Sequence, residues 1–234
     1  MSRIAWPVTG VGSIVAAYLW WRPQMLTWGA TDVEASESLP GDEQTPSPRL
    51  QSTRAITIDA PPERVWPWLV QMGIGRAGFY THDWLERLLF RARYVDGRRS
   101  AVRIHPEFQD LRPGDPIYMG SGAYTTVTQV EPERHLVTFE TFVLRPLDGR
   151  RTRLIARTRG MGYLQPALSV IAPDAGRLPR LIRLVVGHLP GVDRLARGFD
   201  FFFADPLHHY MDTGMLKGIK RRVEASSEKP WRCA

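Results

Sequence analysis

In the second half of the sequence, apolar residues first recur at every second position and later at every fourth, and this change constrains the fold more than any other feature. Segments that alternate polar and apolar residues, or are rich in β-branched and aromatic residues, occupy residues 117–119, 124–130, 135–139, 141–144 and 152–159. Such segments are typical of strands. The Asp148-Gly149 pair before the last of them is a hairpin signal. An antiparallel sheet is therefore predicted.

A long helix is predicted after the sheet. Asp205-Pro206 combines an N-cap acid with a first-turn proline, which is a helix start signal. Apolar residues then recur every four positions, at Leu207, Met211, Met215, Ile219 and Val223. This spacing predicts one apolar stripe that packs on the sheet.

Shorter elements precede the sheet. Residues 53–58 alternate as a strand. The Pro61-Pro62 pair then opens an amphipathic helix that reaches about residue 72. A second helix begins after Thr81, a plausible N-cap, and extends to about residue 90. Together these elements predict an α+β fold for residues 52–225, with residues 226–234 as a tail.

The N-terminal segment carries no charge between residues 4 and 21, IAWPVTGVGSIVAAYLWW. A helix of this length spans about 27 Å, close to the hydrocarbon core of a bilayer. Tyr18, Trp20 and Trp21 suit a headgroup belt. We expect residues 1–30 to form a hydrophobic, transmembrane helix, so the predicted location is the membrane, on a side that the flanking charges leave open. A cleaved signal peptide and a helix packed on the soluble domain are the alternatives.

Residues 31–51 are polar, acidic and rich in proline and serine, which is the composition of a linker. The net charge of +7 comes from arginines spread over several segments rather than from one basic block. That distribution argues against nucleic acid as a partner. The single cysteine, Cys233, excludes an internal disulfide.

The densest polar cluster before the sheet contains Gln71, Arg76, Tyr80, His82 and Asp83. As catalytic candidates, His82 or Asp83 would act as acid and base, and Arg76 or Tyr80 would stabilise an enolate. The structural alternative is that Asp83 caps a helix and pairs with Arg76.

No cofactor or metal is predicted. The GIGRAG segment matches G-x-G-x-x-G but follows a helix rather than a strand, so a dinucleotide loop is not expected. The adjacent residues His208 and His209 point about 100° apart on a helix, and they cannot easily share one metal ion.

Three segments of the chain resemble bacterial members of the START-like SRPBCC superfamily, of the polyketide cyclase/dehydrase and lipid-transport type. They are RPQMLTWGATDVEASESLPGDE, TRAITIDAPPERVWPWLVQMGIGRAGFYTHDWLERL and MLKGIKRRVE. The resemblance implies a helix-grip fold, in which a curved antiparallel sheet surrounds the C-terminal helix. It also implies a cavity for a lipid, polyketide or other apolar molecule. Fold alone does not decide between carrier and enzyme.

Such a cavity would be lined by large and flexible side chains. The candidates for ligand binding are Trp68, Met72, Tyr118, Phe139, Phe142, Tyr210, Met211 and Met215. The function expected from them is a membrane-associated binding protein for an apolar small molecule. The alternatives are a cyclase or dehydratase that uses the polar cluster, and a non-catalytic module that acts through a protein partner.

Residues 164–204 depart from the family pattern as a helical insertion. Arginines at positions 177, 180 and 183 alternate with apolar residues, and phenylalanines follow at positions 199 and 201–203. This pattern predicts an amphipathic helix that is either a lid over one end of the cavity or a membrane-surface element at residues 177–203.

Overall fold

A five-stranded antiparallel sheet forms the centre of the computed structural model, which describes residues 5–120, 123–162 and 191–227. The strands are β1 (Leu50–Ile58), β4 (Gln129–Glu131), β5 (His135–Val137), β6 (Glu140–Asp148) and β7 (Arg151–Gly160), in the spatial order β1-β7-β6-β5-β4. A separate two-stranded sheet pairs β2 (Pro116–Gly120) with β3 (Ala123–Thr126). The predicted antiparallel sheet is confirmed.

The described helices lie before and after the sheet strands. They are α1 (Ala5–Leu26), α2 (Asp32–Ser36), α3 (Pro62–Val70), α4 (Asp83–Phe90), α5 (Val192–Phe199) and α6 (Asp205–Ser227). Short 3₁₀ turns occupy Asp42–Gln44 and Pro106–Phe108, and one π-helical turn, Asp200–Ala204, joins α5 to α6. The α+β class and the long C-terminal helix are thus confirmed.

The two faces of the sheet have different partners. On the inner face, α6 contacts β1 and α3, and its residues Leu216, Ile219 and Val223 are fully buried there. Burial of such a side chain stabilises the fold by about 1.5–3 kcal/mol. The inner face is therefore the main hydrophobic core.

The buried stripe of α6 follows the predicted four-residue repeat at Met211, Met215, Ile219 and Val223 but not at Leu207. Each four-residue step advances about 40° around a helix of 3.6 residues per turn. Over four steps Leu207 is displaced by about 160° from Val223, and Leu207 is exposed. The buried face at the start of α6 instead carries His208 and Asp212, which stand one turn apart above Ile219.

The outer face of the sheet is covered by residues 28–45, most of which belong to the stretch at residues 31–51 that the composition predicts as a linker. Leu39 packs there with Ala55, Val143 and Ile155. A capping box starts α2, because the Thr31 hydroxyl accepts from the Glu34 N–H and the Glu34 carboxylate accepts from the Thr31 N–H. The chain continues from this segment into β1, the edge strand of the same sheet. The segment therefore lies against the sheet and is not an extended linker.

Ion pairs fasten this covering segment to arginines of β6 and β7. Arg157 is 1% exposed and donates to Asp42 at 2.7 Å, while Arg153 donates to Glu34 at 2.7 Å. This contact lowers the pKa of Glu34 to about 2, through hydrogen bonding from the arginine. Acidic residues in a stretch of linker composition are therefore partners of buried cations.

Helix α1 contacts the start of α6. Arg22 donates to Asp205 at 2.5 Å, and the Tyr18 hydroxyl donates to the Phe201 carbonyl. Met25 near the end of α1 is buried. Across the described ranges, we find no helix with both the length and the apolar character needed to cross a membrane. Most of the predicted insertion helix, at residues 163–190, lies outside the described residues.

Candidate functional site

An apolar cavity of about 120 Å³ lies between the inner face of the sheet, α6 and the segment that carries α4. Its apolar wall consists of Met72, Phe79, Phe90, Ile117, Met119, Leu136, Phe139, Phe142, Met211 and Met215. Its polar wall consists of Thr81, Glu86, Thr138, Glu140, His208 and Asp212. A dry cavity of about 150 Å³ is known to hold benzene, so this space is suited to a ring of that size.

Two periodicities place the lining residues. Alternation along β6 turns Glu140 and Phe142 to the inner face, where they stand opposite Thr158 and Ala156 of β7. Helical spacing along α6 brings His208, Asp212 and Met215 to the face that meets them. The site is therefore built where the sheet and the C-terminal helix meet.

The segment between α3 and α4 closes the cavity by a close approach to α6. Tyr80 has a φ of 60°, an uncommon left-handed conformation for a bulky residue. A side chain at Gly214 would place its Cβ 2.6 Å from the Thr81 hydroxyl oxygen. The carbonyl of Tyr80 is still closer to Gly218. Glycines on one face of α6 thus allow Thr81 to line the cavity.

A buried ionic cluster forms one wall of the cavity. Arg54 of β1 is 1% exposed and pairs with Asp212, which is 5% exposed. The His208 Nδ1 atom lies 3.1 Å from Asp212 Oδ2 and 3.2 Å from Arg54 Nη1. Glu140, 2% exposed, belongs to the same cluster because its charge interacts with those of Asp212 and Arg54.

This cluster holds two carboxyl groups against one arginine. Burial, and then the charge of Asp212, raise the pKa of Glu140 well above its ordinary value. Burial also raises the pKa of Asp212, although Arg54 opposes this. Burial, followed by the positive charge of Arg54, lowers the pKa of His208 well below its ordinary value. The cluster therefore favours the neutral form of His208 and disfavours the simultaneous ionisation of both carboxyl groups.

Several polar atoms of the cluster have no hydrogen-bond partner among the described residues. They are Glu140 Oε1 and the Nε and Nη2 atoms of Arg54. Buried polar groups are usually satisfied, and an unsatisfied one costs about 1–3 kcal/mol. An atom left in this state beside a cavity is suited to bind a polar group of a ligand.

A second carboxyl group reaches the cavity from α4. Glu86 is fully buried and accepts a hydrogen bond from the Tyr94 hydroxyl at 2.7 Å. Burial raises its pKa to about 7. Its Oε1 atom and the Thr81 hydroxyl have no partner among the described residues. The cavity thus has polar groups on two sides of an apolar interior.

The four predicted catalytic candidates do not line this cavity. The Arg76 guanidinium donates to the carbonyls of Val70 and Phe108, and the hydroxyl of Tyr80 donates to the carbonyl of Trp68. The ring of His82 stacks on Tyr210 with centroids 4.0 Å apart.

Asp83 accepts from the N–H and hydroxyl of Ser100, so the described contacts do not include the Arg76–Asp83 pair considered above. These side chains have structural partners and do not converge on one point.

Five of the eight predicted ligand contacts line the cavity: Met72, Phe139, Phe142, Met211 and Met215. The other three lie elsewhere. Trp68 packs in the core against Tyr80, Tyr118 is exposed beside Tyr124, and Tyr210 is exposed over His82. Tyr210 stands one position before Met211, which is enough to turn it out of the cavity.

Sequence reasoning missed Arg54, Glu140, Asp212 and Glu86, and it considered His208 only as a metal ligand. A signal was present for most of them, because each occupies an inward position of its element. Asp212 and His208 lie 7 and 11 positions before Ile219, close to two and three helical turns. Charged residues in register with a buried face are unusual, and they often mark a site.

Within residues 5–120, 123–162 and 191–227, we find no group of three His, Cys, Asp or Glu side chains placed to hold a metal ion. No protein-family profile matches the chain, and no curated protein is significantly similar to it. Among solved structures, a conserved protein of unknown function from Enterococcus faecalis aligns with 14% identity and a TM-score of 0.29 over 76% of this chain and 85% of that one. A likeness this distant carries no functional argument.

Proposed function

We propose that the chain is a membrane-associated binding protein for an apolar small molecule, which occupies the cavity between the sheet and α6. The observation that carries the proposal is the composition of the cavity wall, which has ten apolar side chains and six polar ones. Ligand sites generally combine a mostly apolar wall with a few polar groups and titratable residues of shifted pKa. The cavity has all three properties.

The methionines give further support. Four of the seven in the sequence, Met72, Met119, Met211 and Met215, line this one cavity. Methionine is flexible and polarisable, so such a wall adapts to ligands of different shape. A core that served only stability would gain more from side chains with well-defined rotamers.

The resemblance to the START-like SRPBCC superfamily is part of the proposal. The order of elements supports it, since a strand, two short helices, an antiparallel sheet and a long C-terminal helix follow one another in the chain. The helix-grip architecture would place the ligand between sheet and helix, which is where the cavity lies.

Membrane association is supported by exposed apolar side chains on α1 and near α5. Trp20 and Phe203 are 72% and 67% exposed. The two regions meet, because the ring of Tyr18 lies 5.6 Å from that of Phe202. Exposed aromatic side chains beside arginines are typical of surfaces that lie in the headgroup region of a bilayer.

Native mass spectrometry after gentle purification tests the binding proposal. We expect a co-purifying apolar molecule that is reduced in Met211→Trp, because the indole would occupy the cavity. Met161→Trp is the matched control, since Met161 is exposed and does not line the cavity. The same bound mass in both variants, or none in the wild type, would argue against the proposal.

A second candidate function is acid–base catalysis of the cyclase or dehydratase type. It is favoured by the buried carboxyl groups in the cavity, because an acid or base works best with a pKa near the working pH. Cyclohexanone in D₂O provides a test. A catalyst would exchange its α-protons faster than buffer does and would lose this activity in Asp212→Asn. Exchange at the buffer rate would remove this candidate.

A further inference from the structure

The buried carboxyl pair on the cavity wall has a chemistry of its own, distinct from the apolar lining. We propose that Glu140 and Asp212, which line the cavity with Arg54 paired to Asp212 behind them, form a recognition site for an uncharged oxygen group, a hydroxyl or a carbonyl, of an otherwise apolar ring-sized ligand. This inference rests on the proposed function, because it assigns a polar end to the same cavity.

The charge count excludes an ionic ligand group. Arg54 already pairs with Asp212, so an added carboxylate would face the carboxyl groups of Glu140 and Asp212 without a free cation beside it. An added ammonium would need both carboxylates ionised, whereas burial favours a proton on this pair. A neutral oxygen avoids both costs.

The geometry of the unsatisfied atoms indicates the contact. Glu140 lines the cavity, and its Oε1 atom has no well-aligned hydrogen-bond partner among the described residues, although the Thr158 hydroxyl lies close to this carboxyl group. A protonated carboxyl group donates one hydrogen bond and accepts others. A ligand hydroxyl or carbonyl beside it would satisfy this atom without adding a charge.

The side chains around Glu140 favour this part of the cavity as the place where the ligand oxygen binds. Phe142 follows it on the inner face of β6, and Met211 and Met215 face it from α6. The polar groups on this side of the cavity, Thr138, Glu140, His208 and Asp212, therefore stand beside an apolar surface that can contact the ring of the ligand. Glu86 lines the same cavity from α4, and one of its two carboxyl oxygens accepts from the Tyr94 hydroxyl.

Four probes of similar size separate the possibilities: toluene, phenol, benzoate and benzylamine, titrated into the full chain at neutral pH. We expect phenol to bind about tenfold more tightly than toluene, the equivalent of a hydrogen bond of ~1.4 kcal/mol. Benzoate and benzylamine should bind more weakly than toluene. Tighter binding of benzoate or of benzylamine would overturn the assignment.

The variant Glu140→Met tests the residue. Methionine has a similar length but neither a hydrogen-bond donor nor a strong acceptor, so in this variant phenol and toluene should bind with equal affinity. A retained preference for phenol would contradict the inference. In the wild type, the ¹³C resonance of the Glu140 carboxyl group should shift with phenol and not with toluene, and this measurement does not depend on the folding of a variant.

The outcomes distinguish the two proposals. If toluene and phenol both bind with equal affinity, the cavity binds apolar molecules but the oxygen site is refuted. If none of the four probes binds, the proposed function fails, and the inference that rests on it fails as well.

Discussion

Arg157 offers the sharpest test of the fold, because its side chain joins the covering segment to the sheet. Its guanidinium donates to the Thr53 hydroxyl at 2.9 Å, to the Asp42 carboxylate at 2.7 Å and to the carbonyls of Glu34, Ala35 and Glu37. Arg157→Met would leave these acceptors buried and without that donor.

The expected loss of stability in Arg157→Met depends on the partners that Asp42 retains. Removal of one partner from a buried ion pair costs about 3–5 kcal/mol. Asp42 would keep Arg159 at 3.2 Å and the N–H of Leu39. We therefore expect a loss at the lower end, about 3 kcal/mol, in the free energy of unfolding measured by urea denaturation.

Arg145→Met is the matched control. Arg145 lies on the same face and donates to Glu37 at 2.7 Å, but its side chain is 39% exposed. An exposed pair contributes about 0–1 kcal/mol, so this variant should stay close to the wild type. If Arg157→Met also stayed within about 1 kcal/mol of the wild type, the segment would not be a cooperative part of the fold.

Three further predictions concern a proton, a helix contact and a surface. Burial raises the pKa of Glu86 to about 7, so the folded state binds a proton that the unfolded state has released, and the free energy of unfolding should fall as pH rises from about 4.5 to about 7. In denaturation series at pH 5 and pH 8, Glu86→Gln should remove on the order of 2–3 kcal/mol of this fall. In thermal melts, Gly218→Ala should destabilise the protein, because the new Cβ would clash with the Tyr80 carbonyl. Gly198→Ala is the control: no atom lies near its Cβ position, so it should be neutral or stabilise the helix by up to about 1 kcal/mol. Co-sedimentation with vesicles that contain anionic lipid should decrease in Trp20→Ser; undiminished binding would argue against this surface.

The sequence was most informative where one physical rule dominated. The period-two segments predicted the strands of the sheet, and the long helix was predicted from residue 205, although Asp205 is itself helical and continues the π-helical turn before it instead of capping a new helix. These are local signals, and tertiary packing agrees with them. The hairpin at Asp148-Gly149 joins β6 to β7 as expected.

Prediction was weaker where a local pattern had two meanings. The acidic, proline-rich stretch at residues 31–51 has the composition of a linker, yet its acids pair with arginines of β6 and β7, among them the buried Arg157. Those partners are about 100 positions away along the chain. No local property of the stretch reveals a contact of that range.

The candidate site illustrates the same limit. The four-residue repeat of α6 drew attention to Leu207, although the helix turns 3.6 residues per turn and places Asp212 on the buried face. The polar cluster around Arg76 and Asp83 was dense in sequence, but its members have separate structural partners. Arg54, Glu140 and Asp212 come from three distant segments, and only the fold brings them together.

The most direct test of the account is a titration with toluene followed by the methyl resonances of the methionines. We predict saturable shifts for Met72, Met119, Met211 and Met215, which line the cavity, and none for Met25 and Met161, which do not. Met211→Trp should abolish these shifts. Shifts that include Met25 and Met161 equally, or no saturable shift at any methionine, would contradict a ligand cavity between the sheet and the C-terminal helix.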